Sequence, residues 1–153
     1  MYKKILIAFD GSEPSKYALD HAVSIAAKWG SELIILSVVP RVNTPLFPDG
    51  GPAPMTSLHL ADYQDSLQEI YAKSLQEAED DVKEAFPEVK ISSKLLEGRP
   101  SSVIVEEADK EDVDLIVIGS RGIGGITGFI LGSTSRRVVD TCTKPVLVVK
   151  TSR

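Results

Sequence analysis

Cysteine occurs once in these 153 residues, at Cys142. No intrachain disulfide is possible, and packing alone must hold the fold. One cysteine suits a reducing compartment, so a cytoplasmic location is expected. Cys142 itself reads as a small core residue on an apolar helix face. Histidine is nearly as scarce, at His21 and His59. Neither lies in a zinc spacing, and no Gly-x-Ser-x-Gly elbow exists, so triad and zinc hydrolysis have no foothold. No apolar run approaches the length of a membrane span. The first, residues 5–9, is also too short for the apolar region of a signal peptide. Basic residues are not in excess. The net charge of -5 argues against a general affinity for nucleic acid, which draws on many Lys and Arg contacts. Aromatics make up only 6% of the chain, which leaves Val, Ile, Leu and Ala to fill the core.

The remaining composition is that of a globular protein, with 42% apolar and 25% charged residues. The length suits one domain with one core. Five short apolar runs read as strands, at residues 4–9, 32–39, 90–96, 114–118 and 145–150. Four are nearly continuous Val, Ile or Leu, which suits parallel strands covered on both faces. The third mixes in Lys and Ser and is expected at an edge. Helical patterns separate the runs. Residues 15–28 carry Ala18, Ala22, Ile25, Ala26 and Trp29 on one stripe, with Gly30 as a stop. Residues 58–86 carry Leu60, Tyr63, Leu67, Tyr71, Leu75, Ala78, Val82 and Phe86. A third helix begins at Pro100 and a fourth near Ser133.

The order is βαβαβαβαβ. It predicts an α/β fold, a single doubly wound five-stranded parallel sheet of order 3-2-1-4-5 with helices on both faces. Strands one and four then lie side by side where the winding reverses. Ligands bind beyond the carboxyl ends of such strands. Those ends are Asp10-Gly11-Ser12 and Gly119-Ser120-Arg121-Gly122. The Pro-rich stretch 40–57 follows strand two at the same edge and reads as a loop, either a surface loop or a lid.

The stretch from Gly119 to Ser135 is dense in glycine and hydroxyl residues. Glycine admits close approach of backbone to ligand, and successive N–H groups form an anion nest. Gly132, Ser133, Thr134 and Ser135 also open a helix, whose first N–H groups favour phosphate. One glycine or serine alone would be read as loop shape or a helix cap. The whole cluster at the switch point reads as a phosphate site. It is not a P-loop, because no Gly-x4-Gly-Lys-Ser/Thr occurs. It is not a dinucleotide fingerprint either, because Thr127 stands where the third glycine belongs.

Gly119-x2-Gly122-x9-Gly132-Ser133 resembles the ATP-binding signature of the universal stress protein family. The start, Lys3-Lys4-Ile5-Leu6-Ile7-Ala8-Phe9-Asp10-Gly11-Ser12, is similar to that family too. So are Asp114 to Gly122 and Lys144 to Lys150. The resemblance implies an adenine nucleotide alpha hydrolase-like fold over residues 1–153, with bound ATP and possible Mg²⁺ or Mn²⁺. It places Ala8 and Asp10 at the end of strand one, with Asp10 by the ribose and holding a metal through water. Val38 would meet the adenine edge. Ile118, Gly119 and Gly122 would form the ribose and phosphate turn, with Arg121 beside it. Gly132 to Ser135 would receive the phosphates. The resemblance also implies a homodimer through strand 145–149. Read without it, Asp10 is equally a turn or N-cap aspartate, Val38 is core and Arg121 is a surface charge.

Arg136 and Arg137 are left outside the site. The acidic pairs Asp80-Asp81 and Glu106-Glu107 read as solvated helix faces. The expected role is a nucleotide-dependent sensor or regulator in stress physiology. The alternatives are a slow ATPase or nucleotidyl-transfer enzyme, and a partner-binding module. Cyclic AMP remains open as the ligand, because an anion nest does not count phosphates.

Overall fold

The computed structural model describes residues 1–42, 57–121 and 131–151. The elements run β1 (Lys4–Ala8), α1 (Glu13–Trp29), β2 (Glu32–Pro40), α2 (Ser57–Ala85), β3 (Lys90–Gly98), α3 (Pro100–Lys110), β4 (Leu115–Gly119), α4 (Ser133–Thr141) and β5 (Val146–Val149). The strands form one parallel sheet of order β3-β2-β1-β4-β5, as the alternation predicts. The mixed strand β3 lies at an edge.

Alternation along β1 and β2 divides the core into two layers. Ile5, Ile7, Leu33 and Ile35 face α1 and α2, where Ala18, Ala22, Ala26, Leu75 and Val82 cover them. Leu6, Ile34, Leu36 and Val38 face α3 and α4, where Ile104, Ala108 and Val138 cover them. Small alanines along α1 let that helix lie close to the sheet, which replaces the aromatic bulk the chain lacks.

Caps set the ends of α1. Ser12 is its N-cap and accepts from the Ser15 N–H, and Pro14 lies in the first turn. Gly30 closes it at φ 66°, a left-handed position that suits glycine. Three apolar positions of the predicted stripes are not core. Trp29 is 49% exposed, because the helix ends there and Gly30 turns the chain away. Tyr63 is 55% exposed. The 29 residues of α2 span about 43 Å. The nine residues of β2 span about 30 Å. The first two turns or so of the helix, about 13 Å, therefore outrun the sheet, and its buried side chains begin further along, at Leu75. Phe86 lies past the helix end and is also exposed. Cys142 is half-buried against the α3–α4 core, as a small core residue would be.

Glu107 corrects a second expectation. It is buried, not solvated, and its carboxylate is bonded to Lys94 of β3. Its neighbour Glu106 is exposed, as are Asp80 and Asp81. One residue, a rotation of about 100° around the helix, separates a solvated carboxylate from a buried one, and an adjacent-pair reading cannot tell them apart.

Asp114 holds β1 beside β4. Its Oδ2 accepts from the Lys3 N–H at 2.8 Å and the Lys4 N–H at 2.9 Å. The Lys4 bond first and the Lys3 bond second hold its carboxyl below the usual range. A depressed folded value stabilises above the unfolded pKa of about 3.9, and the stabilisation is lost as pH falls through the folded value. Asp114→Asn should therefore melt below the wild type at pH 7. The gap should close as both are titrated below about pH 4. A gap that stayed constant through acid would show that the carboxylate charge is not what matters.

Candidate functional site

The carboxyl ends of β1, β2 and β4 open into a cavity of about 450 Å³. That is within the ordinary range for a small-molecule site. Part of its lining is apolar, from Ala8, Leu36, Val38, Ile104 and Ile118. Part is polar, from Asp10, Ser15, Tyr71, Arg121, Ser133, Thr134 and Ser135, and Gly119 and Gly132 border it too. Ten of the eleven residues singled out from the sequence thus line one space. The eleventh, Gly122, lies outside the described residues, as do the rest of the glycine-rich stretch to residue 130 and most of the 40–57 loop.

Three helix starts converge here. Ser15 stands in the first turn of α1, Pro100 opens α3 and Gly132 caps α4. Neither α3 nor α4 has a side-chain cap. Gly132 is the N-cap of α4 and Ser133 its first helical residue, so Ser133 is not a helix cap. The early N–H groups of a helix have no partner within it, so the start of α4 presents donors and a partial positive charge to the cavity.

The start of α4 is tied to the end of β4. The Ser120 carbonyl accepts from the Gly132 N–H at 2.7 Å and from Ser135 Oγ at 2.9 Å. Ser135 is buried, and its Oγ also lies 3.1 Å from the Gly132 carbonyl. Its single hydroxyl proton is committed to these carbonyls, so Ser135 offers the cavity its backbone donor rather than its side chain. Ser133 is exposed and Thr134 half-exposed, with hydroxyls at the helix mouth.

Asp10 is a turn aspartate as well as a wall of the cavity. Its Oδ1 accepts from the Ser12 N–H at 2.9 Å and from Ser12 Oγ at 2.5 Å. The N-cap is Ser12, so the cap reading of Asp10 falls and the turn reading stands. Gly11 makes the turn possible at φ 82°. Val38 is both core and wall: it is buried, yet it borders the cavity.

Sequence reasoning missed Phe9, Ser15, Leu36, Tyr71, Pro100, Ile104 and Leu131. Leu36 was within reach, because residues two apart on a strand share a face and Val38 was already named. Tyr71 carried no local signal. It reads as one more apolar position of a long helix, and only the packing of α2 brings it to Asp10. Its phenol is pushed up by burial and, to a lesser extent, by the Asp10 charge.

A cavity at the switch point of an open α/β sheet lies where proteins of this architecture hold their ligands. The comparisons with known proteins name the family. The model of the universal stress protein family matches residues 1–150, and this chain belongs to that family. A universal stress protein of Methanocaldococcus jannaschii is 37% identical over 152 residues, covering 98% of this chain and 83% of its own. YxiE of Bacillus subtilis is 33% identical over 150 residues, covering 98% and 100%. Among solved structures, UspA of Lactobacillus plantarum matches with a TM-score of 0.83 at 24% identity, covering 97% of each chain, which is a likeness of fold. A universal stress protein solved in complex with cAMP matches with a TM-score of 0.67 at 32% identity, covering 99% and 98%.

Proposed function

We propose that this protein binds an adenine nucleotide, ATP foremost, in the switch-point cavity and acts as a nucleotide-dependent sensor or regulator in stress physiology. The carrying observation is that one cavity is lined both by apolar side chains and by the start of α4. An apolar slot bounded by Val38, Leu36 and Ile118 suits a base, and the start of α4 suits phosphates. The cAMP-bound relative supports an adenine ligand. Asp10 and Gly119 border the same cavity, and a ribose would lie against them. Arg121 borders it as well, and its charge would favour a phosphate. Gly122 completes the spacing in sequence.

Among the described residues no three His, Cys, Asp or Glu side chains converge to hold a metal. Mg²⁺ or Mn²⁺ would therefore be held by Asp10 through water and by the phosphates of the nucleotide, as is usual for so hard a cation. Two chains would pair through β5, an apolar strand at the sheet edge with an unpaired side. A reducing compartment such as the cytoplasm suits a chain with a single cysteine. No helix among the described residues is long and apolar enough to cross a membrane.

The test is to purify the protein without added nucleotide, denature it and identify what is released. Gly122→Val combined with Ser133→Ala is the comparison. The wild type should release an adenine nucleotide, and the double variant should bind ATP at least tenfold more weakly, the effect of losing charge-assisted donors. An empty wild type with no calorimetric signal for ATP would sink the nucleotide reading and favour a partner-binding module.

A further inference from the structure

The long helix reaches the cavity through a single described side chain. Tyr71 alone comes from α2, and it extends from the α1–α2 face of the sheet to the rim beyond β1. Its position is pinned from both sides. Leu75, one turn on, is buried in the α1–α2 core. Ser74 lies against the turn that carries Asp10, since a Cβ on Gly11 would meet Ser74 Oγ at 2.7 Å. The backbone of Tyr71 therefore stays at the rim as long as α2 stays in the core. The Asp10 charge acts on its phenol, which stays protonated well past neutral pH. A wall that only had to exclude water would be served by phenylalanine. The phenol adds a group that both donates and accepts, beside a carboxylate that only accepts.

We propose that Tyr71 is a sugar-recognising residue of this site, its hydroxyl and the Asp10 carboxylate together receiving the 2′- and 3′-hydroxyls of a ribose. The proposal rests on the adenine-nucleotide reading of the cavity. A vicinal diol brings two donors and several acceptor lone pairs, which a carboxylate alone cannot satisfy. The site therefore selects nucleotides that carry ribose hydroxyls over their dideoxy counterparts.

Calorimetric titration of the wild type and Tyr71→Phe with ATP and with 2′,3′-dideoxy-ATP tests this. The phenylalanine keeps the ring and the packing, and thermal melting confirms that the fold is retained. The wild type should prefer ATP by about tenfold. Tyr71→Phe should weaken ATP about fivefold and the dideoxy analogue less than twofold, since the analogue has no hydroxyl to lose. Equal losses for both ligands, or no loss for either, would reduce Tyr71 to a wall and overturn the proposal alone. A wild type that binds neither ligand would overturn the nucleotide reading and this proposal together.

Discussion

Gly119→Val is expected to cost about 3 kcal/mol of stability and to abolish ligand retention. A Cβ at this position would lie 2.9 Å from the carbonyl carbon and oxygen of Pro14 and 3.1 Å from its Cβ. Real Cβ atoms do not approach backbone so closely. The obstacle is the first turn of α1, which cannot swing aside as a flexible side chain does. Either the end of β4 or the start of α1 must move, and both are walls of the cavity. The melting temperature should fall by about 5–10 °C. Gly132→Ala is the contrast. There the nearest atoms to a new Cβ stand at 3.4 Å, and the variant should lose only the cap preference of glycine over alanine, about 1 kcal/mol. Denaturation scans of the two variants decide the matter. Equal melting temperatures would mean that the β4–α1 contact is looser than the geometry requires.

Lys94→Met is expected to cost about 2 kcal/mol, because it strands a buried carboxylate. Lys94 bonds both Glu107 and Glu111, and the Glu107 side chain is only 6% exposed. Lys4 of β1 joins the cluster at 3.7 Å from Glu111, so three elements meet at one set of charges. Removing one partner of a fully buried pair costs more than this. Two features reduce the figure. Lys94 is 30% exposed, where solvent screens the pair, and Lys110 remains 3.8 Å from Glu107. Adding Glu107→Leu should restore most of the loss, since an apolar pair of similar volume needs no compensation. Additive losses in the double variant, measured by urea unfolding, would refute the coupling. The Glu107 bond first, then Glu111, raises the Lys94 pKa above the ordinary lysine range. A raised folded value means the stabilisation is complete below the unfolded pKa of about 10.4, and is lost as pH rises through the folded value. The pair should therefore contribute equally at pH 6 and pH 8.

Much of the site was legible because its residues sit at strand ends. A strand that reads as a continuous apolar run stops where polar residues or glycine begin, so Asp10 and Gly119 mark themselves. The rules of parallel sheets then put those two ends side by side. Ser133 and Gly132 were legible for a related reason, since glycine and hydroxyl residues cluster where a helix opens. Their roles were harder to read. Ser133 and Ser135 read alike as hydroxyls for a phosphate, yet Ser135 spends its hydroxyl on the Ser120 carbonyl while Ser133 is exposed at the helix mouth. A hydroxyl can face a ligand or its own backbone, and one-dimensional spacing does not say which.

Sequence by itself determined the element order, the strand order, the parallel sheet and the place where a ligand would lie. Each of these follows from short-range periodicity and from the handedness of crossover connections, which any local stretch of chain must obey. Tertiary structure alone decided which side chains complete the site. Tyr71, Ile104 and Pro100 come from helices distant in sequence, and packing against the sheet sets their reach. It also decided that Glu107 is buried while Glu106 is not, and that Trp29 and Tyr63 lie outside the core. Burial depends on how far the facing layer extends, and a helix about 43 Å long over strands of about 30 Å must leave part of its stripe uncovered.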